Sequence, residues 1–534
     1  MVQLLRLLAS GYPLTVTQPP TPTVTFDGAP VTLEQVCQLS RRQANSRLGN
    51  GEFQQRIERG ATFLERLLAR EGVIYGVTTG YGDSCTTAIP EALTGQLSEK
   101  IFTFHGCGLG AHFDAQSTRA ILAARLTSLC RGYSGVRYEL LQQLHRLLDE
   151  DLLPLIPQEG SVGASGDLTP LSYVAAALAG QRQLRQGEQI REASEVFAER
   201  HISPLTLRPK EGLAVMNGTA VMTGLACLAF DRANYLVSLG TRITALASLA
   251  IQGNAYHFDE VLFSVKPHPG SQLAARRLRD DLQASNAPSH EARLQDRYSL
   301  RCAPHVLGVL SDTLSQLRSF VEVELNSAND NPIIDGDNER VLHGGHFYGG
   351  HIGQAMDSLK TATASVADLL DRQLAQLVDV KFNHGLPANL SGSTGAGACL
   401  DHGFKAVQIG ASSWTAEALK LTMPATSFSR STECHNQDKV SMGTTAARDA
   451  LRVLELSEQV AAAGLLASCQ AVELRLAQDG RDIHSLPPAL RDTLLAVRED
   501  SAHVNEDRAL EPELRQLLSR IRQQHWNLYA DTSE

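Results

Sequence analysis

Four long stretches beyond residue 215 constrain this chain more than anything else in it. They are "VMTGLACLAFDRANYLVSLGTRITALASLAIQG", "MDSLKTATASVADLLDRQLAQLVDVKF", "GFKAVQIGASSWTAEALKLT" and "TAARDALRVLELSEQVAAAGLLASCQAVELRLA". In each, apolar residues recur at three and four positions with few β-branched alternations, the spacing of one helical face. They predict a mainly α fold built on a long-helix bundle. The uncharged run "GLAVMNGTAVMTGLACLAF", Gly212 to Phe230, approaches membrane-spanning length. Asn217, Thr219, Thr223 and its glycines suit a buried bundle helix instead.

Before residue 215 the helical segments are short and separated by Gly-rich loops, of which "YGVTTGYGDSCTT", "FHGCGLGAHF" and "GSVGASGDLTP" are the clearest. The change of texture predicts two domains, a smaller loop-rich one over 1–215 and the helical bundle over 216–534. At 534 residues the chain is long enough for several units with ample buried interior. Near the start, "TVTFDGAPVTLEQ" suggests a β-hairpin turning at Asp27-Gly28, followed by a helix whose capping box is Thr32 with Gln35. Two polar interruptions of the bundle, Gln295 to Pro304 and Asn326 to Gly350, are expected to be site loops.

The 48 basic against 58 acidic residues leave a net charge of -10. No Lys/Arg run tracks a phosphate backbone, so nucleic acid is not an expected partner. The opening "MVQLLRLLASGYPLT" is broken by Arg6 and lacks the pattern of a signal peptide, and "ADTSE" at the other end reads as a frayed tail. Nine cysteines without a CxxC pair fit reduced thiols. A cytoplasmic enzyme without a membrane segment is expected.

Several motifs point to chemistry that the rest of the chain does not support. "GCGLG" at Gly106 to Gly110 is a fragment of a dinucleotide fingerprint without its strand-helix-strand context, and "GSVGASGD" lacks the Lys of a phosphate loop. His343, His346 and His351 in "HGGHFYGGH" match no zinc spacing. In Ala164-Ser165-Gly166, by contrast, small residues let the backbone fold sharply and a backbone nitrogen approach a carbonyl.

With "GSVGASGDLTPLSYVA" in view, the chain resembles the aromatic amino acid ammonia-lyase family, which includes histidine, phenylalanine and tyrosine ammonia-lyases and related aminomutases. The resemblance implies that Ala164, Ser165 and Gly166 cyclise and dehydrate to 4-methylidene-imidazol-5-one (MIO), an electrophile no unmodified side chain provides. No metal or nucleotide is then needed. "YGVTTGYG" resembles the family's mobile loop, making Tyr75 the base that removes a β-proton. Because an ordinary tyrosine titrates near pH ~10, the site is expected to lower it. "GLAVMNGT" supplies Asn217 beside the MIO. "QDRYSLRCAP" supplies Gln295, Tyr298 and Arg301, the last expected to grip the substrate carboxylate bidentately. Asn331 of "NSANDNP" would support that carboxylate, and Phe347 of "GGHFYG" would lie near the substrate. Lys405 of "GFKAVQ", with Glu433, Asn436 and Gln437 of "STECHNQDKVSMG", would form the amine end and its surroundings. The resemblance further implies a homotetramer with active sites shared between subunits.

Two positions bear on the substrate, an aromatic L-amino acid. Histidine lyases carry Gln-Glu-Asp where this chain has Asn436-Gln437-Asp438, replacing the acid expected to face an imidazole. Phe104-His105 aligns with Phe-Leu in phenylalanine lyases, His-Leu in many tyrosine lyases and Ser-His in histidine lyases. Burying an imidazole against a bare phenyl would leave a polar group unpaired at a cost of about 1–3 kcal/mol, whereas a phenol can pair with it. The expectation is a tyrosine ammonia-lyase giving 4-coumarate. Phenylalanine or histidine ammonia-lyase, or a tyrosine 2,3-aminomutase, are the alternatives.

Overall fold

The computed structural model describes residues 21–70, 74–283 and 294–529. The opening segment read for a signal peptide and the C-terminal "ADTSE" lie outside them. The chain begins with strand β1 (Thr23–Phe26), helix α1 (Leu33–Ser40), strand β2 (Asn45–Leu48) and helix α2 (Glu52–Leu68). The capping box forms as expected: Thr32 Oγ1 accepts the Gln35 N–H, and the Gln35 side chain accepts the Thr32 N–H.

The expected hairpin does not form. β1 pairs in parallel with β2, and α1 makes the crossover between them. Asp27 does turn the chain, its carboxylate accepting the Ala29 N–H at 2.9 Å. The capping box then starts a helix before a second strand can return.

Next come α3 (Glu91–Phe104), α4 (Ala115–Leu129), α5 (Tyr138–Asp149), α6 (Leu168–Leu178) and the short α7 (Glu211–Met216), with small two- and three-stranded sheets between them. The bundle comes after: α8 (Ala220–Ala250), α9 (Pro269–Leu282), α10 (Ala303–Leu325), α11 (Gly350–Val378), α12 (Lys405–Lys420) and α13 (Gly443–Gln478). All four long periodic stretches are helices. α8 packs on α10, α11 and α13, and α11 packs in turn on α10 and α13; α8 is buried on nearly every side, as a helix at a bundle centre must be.

α13 is the one helix among the described residues long and apolar enough to cross a membrane, and 83% of its most apolar window is buried inside the protein. The two interruptions differ from the expectation of loops. Within the first, Tyr298–Arg301 forms a helical turn and α10 begins at Ala303. The second contains a hairpin, Ile333–Asp335 with Arg340–Leu342, before a loop that leads into α11.

Candidate active site

α7 ends at Met216, and the chain breaks for three residues before α8 starts. Against this break lies the loop carrying Ala164-Ser165-Gly166. Gly166 has φ +67, and a Cβ built on it would sit 2.1 Å from the Gly218 carbonyl oxygen. Only glycine permits that approach. The next residue closes the seam, its N–H donating to the Gly218 carbonyl at 2.8 Å.

Asn217 faces the triplet. Its Nδ2 donates to the Ser165 carbonyl at 2.7 Å, while its Oδ1 accepts the Asn331 N–H at 2.6 Å. Asn331 Oδ1 in turn accepts the Gly344 N–H at 2.8 Å. Gln437 Nε2 stands 3.4 Å from Ser165 Oγ. Two separate segments therefore meet at one serine, and a third, through Asn331, braces Asn217.

A cavity of about 700 Å³ opens in front of the triplet, lined by Tyr75, Phe104, His105, Ala164, Ser165, Asn217, Asn331, Phe347, Glu433, Asn436 and Gln437, among others. The Tyr75 phenol oxygen accepts the Gly82 N–H at 2.8 Å, and its ring meets the edge of His343 with centroids 6.4 Å apart. Contrary to the expectation from sequence, these surroundings raise the Tyr75 pKa: burial is the main cause, and Glu433 and Cys85 add to it, against the Gly82 N–H.

Glu433 accepts the Asp83 N–H at 2.7 Å and the Asn436 side-chain amide at 2.9 Å. It opens a run of three non-glycine residues in the left-handed region, with φ 51, 53 and 65 at Glu433, Cys434 and His435. Such conformations cost about 1–3 kcal/mol each and persist where surrounding structure fixes them. Here the bridge between Thr432 and Gln437 closes the turn.

Phe104 and His105 sit at the C-terminal end of α3, their ring centroids 4.5 Å apart. Burial pushes the His105 pKa down to about 4, so the imidazole is neutral at ordinary pH.

Four expected residues do not line this cavity. Tyr298 is 71% exposed, and Arg301 lies over its ring at 4.7 Å from the centroid. Between them, Ser299 is bonded through its carbonyl to Gln373 at 2.8 Å, and Gln373 also bonds Thr244 of α8. The start of α8 is bonded to Asp167, directly after the triplet. At a helical rise of about 1.5 Å per residue, Thr244 lies roughly 35 Å along α8 from the triplet. Gln295 belongs to this same distant segment, and Lys405 opens α12 beside a separate surface cleft. A single chain thus holds the triplet, the tyrosine and the ring end of the cavity, without Gln295, Tyr298, Arg301 or Lys405.

Sequence reasoning missed a buried polar foundation. Asp167 is fully buried and accepts the Val221 and Met222 N–H groups at 3.0 Å, as well as the Thr444 and Ser161 hydroxyls. Burial raises its pKa to about 6. Arg125 donates to Asn329 Oδ1 at 2.8 Å and to the Asn217 carbonyl at 3.0 Å, and burial pushes its pKa down to about 10. Lys210 pairs with Asp330, and both side chains are fully buried. Each residue of Asn329-Asp330-Asn331 is therefore anchored to a different part of the interior. A charge standing alone in an apolar helix, as Arg125 does in "AILAARLTSLC", was the available signal.

The fold and its site define an α-helical protein that sets a tightly closed Ala-Ser-Gly backbone segment before a cavity of mixed polar and apolar lining. Residues 31–499 match the family described as aromatic amino acid lyase. Similar proteins include the histidine ammonia-lyase of Caenorhabditis elegans, 34% identical over 95% of this chain and 74% of that protein. The histidine ammonia-lyase of Gloeobacter violaceus is 36% identical over 84% of this chain and 87% of that one. Among solved structures, tyrosine aminomutase from Streptomyces globisporus superposes with a TM-score of 0.86 at 32% identity, covering 94% of this chain and 97% of its own. The chain belongs to the aromatic amino acid lyase family.

Proposed function

We propose that this carbon-nitrogen lyase removes ammonia from L-tyrosine to give 4-coumarate. The observation that carries the proposal is the approach of Asn217 and Gly218 to Ser165 and Gly166, in front of a cavity that presents both Tyr75 and His105. The family is MIO-dependent, and the triplet here fits: three small residues, a Gly166 seat that excludes a Cβ, and an amide aimed at the Ser165 carbonyl. When formed from Ala164, Ser165 and Gly166, the MIO supplies an electrophile that turns the substrate amine into a leaving group.

The protein's own side chains do the rest. Tyr75 takes the β-proton, its oxygen steadied by the Gly82 N–H. Its raised pKa means that a positive charge must come near to favour the phenolate, and the substrate ammonium and an arginine are such charges. Glu433, Asn436 and Gln437 form the amine end, Asn217 and Asn331 hold the triplet's side of the substrate, and Phe347 packs its ring. The neutral His105 imidazole accepts or donates one hydrogen bond to the phenol. Arg301, with Gln295, Tyr298 and Lys405, holds the carboxylate from a second copy of the chain in a homotetramer.

A tyrosine 2,3-aminomutase is the second reading, favoured by the likeness to the Streptomyces structure. The test is ultraviolet absorbance and chromatography with L-tyrosine, L-phenylalanine and L-histidine offered separately. The expected result is 4-coumarate from L-tyrosine. β-Tyrosine as main product establishes the mutase, and turnover confined to L-histidine or L-phenylalanine overturns the substrate assignment.

A further inference from the structure

The glycines of "HGCGLG" match no cofactor fingerprint, yet the structure gives one of them a use. Arg182 stands in the turn after α6 with φ 64, its carbonyl fixed by the Ala193 N–H at 2.7 Å. Its guanidinium points at the C-terminal end of α3. Nη2 donates to the Phe102 carbonyl, and Nη1 donates to Ser172 Oγ at 3.0 Å. Ser172 Oγ itself lies 3.2 Å from the His105 carbonyl. A Cβ on Gly106 would fall 2.1 Å from Arg182 Nη2, so a bare residue is what leaves the guanidinium its seat.

The remaining face of the guanidinium covers the Tyr173 ring, 4.3 Å from its centroid, and the Tyr173 oxygen accepts the Gly108 N–H at 3.2 Å. Among the described residues no carboxylate pairs with Arg182. Its charge is met by the negative end of α3 and by an aromatic face, both of which favour a cation.

The turn so held carries Phe104 and His105. Among the described residues the His105 imidazole has no hydrogen-bond partner, so its aim is set by the backbone beneath it and by contact with Phe104. We propose that Arg182 is a specificity-positioning residue that fixes, from outside the cavity, the turn aiming His105 at the ring of the substrate. This rests on the reading of His105 as the partner of the phenol.

The experiment compares kcat and KM for L-tyrosine and L-phenylalanine in the full-length enzyme, in Arg182→Met, Arg182→Lys, Gly106→Ala and His105→Leu, and in the Arg182→Met/His105→Leu double variant. Arg182→Met should lower the tyrosine-over-phenylalanine ratio of kcat/KM by about tenfold, the worth of one hydrogen bond, through the KM for tyrosine. Phenylalanine turnover should persist. Arg182→Lys should recover part of the ratio, because an ammonium reaches fewer of the acceptors. Gly106→Ala displaces the guanidinium without removing it and should act in the same direction, which keeps the test open if Arg182→Met folds poorly. In the His105→Leu background, Arg182→Met should change the ratio no further.

An equal fall for both substrates would mean a merely structural arginine and overturns the proposal. So does a ratio that His105→Leu collapses while Arg182→Met and Gly106→Ala leave it unmoved. A ratio unmoved by His105→Leu overturns the reading of His105 instead, and that failure is distinguishable because Arg182 is intact in that variant.

Discussion

The two ends of α8 make different kinds of site. At its N-terminal end, Asn217, Gly218 and the Ser165 loop interlock through backbone contacts that exclude even a methyl group, and the approach is closed by buried Asp167. Toward its C-terminal end, Tyr298 and Arg301 lie on one helical turn with Tyr298 exposed and no triplet in reach. The first end holds the triplet, Tyr75 and, of the residues expected at the carboxylate, only Asn331; Arg301, the expected grip, is absent from it. The second holds Arg301 without the triplet. Chemistry divided this way is completed by bringing one copy's first end to another copy's second, and this is what the proposed assembly does.

The sharpest way to break this comparison is complementation. Ser165→Ala should remove the electrophile and lower kcat by about a thousandfold or more. Arg301→Ala should disable the carboxylate grip, by about ten- to a hundredfold in kcat/KM. If the two ends come from different copies, co-expressing the two variants should yield mixed assemblies with more activity than either variant alone. Mixed assemblies no more active than the separate variants would place both groups in one chain's site. The comparison would then fail.

Next in size is Tyr75→Phe, expected to lower kcat by roughly 10²–10⁴ while leaving substrate binding nearly intact. The raised pKa gives a sign as well: activity should climb with pH on the acid side of the optimum as the phenol loses its proton, because only the phenolate accepts the β-proton. A rate unchanged by Tyr75→Phe would remove tyrosine from the role of base.

The helices are legible because each repeats one face many times, so that no single residue decides the pattern; α8, α11, α12 and α13 all lie where the periodicity puts them. β1 departs from the expected hairpin because Asp27-Gly28 signals a turn but not the element beyond it, and the neighbouring capping box decides that. The cavity-lining residues are accessible through resemblance, residue by residue. Their division between two ends of a long helix is not, because chain order carries no distance: Asn217 and Arg301 are both polar residues near helix ends, and only the packed bundle separates them. Asp167 and the Lys210–Asp330 pair are invisible for a related reason, and Arg125 shows only as a lone charge in an apolar helix. A buried charge is recognised by its partners, and these come from segments scattered along the chain.

The smallest expected effect concerns that foundation at the N-terminal end of α8. The Asp167 pKa, raised from 3.8 to about 6, means that the fold favours the protonated carboxyl. Its contribution to stability is present below pH 3.8 and is lost as pH rises through about 6. Asp167→Asn keeps the geometry available, since an amide oxygen can accept the Val221 and Met222 N–H groups. The amide nitrogen then meets the Thr444 and Ser161 hydroxyls, which can turn to accept. Glu34, Asp151, Glu455 and Glu473, with lowered pKa values, give the opposite slope in both proteins, so the difference between the two is the quantity to read. From pH ~4 to ~7 thermal unfolding should shift progressively in favour of Asp167→Asn, by on the order of 1 kcal/mol for each unit by which the aspartate is raised. Parallel melting curves across that range would show that Asp167 titrates as an ordinary carboxylate, and that the N-terminal end of α8 is held without the cost of a buried charge.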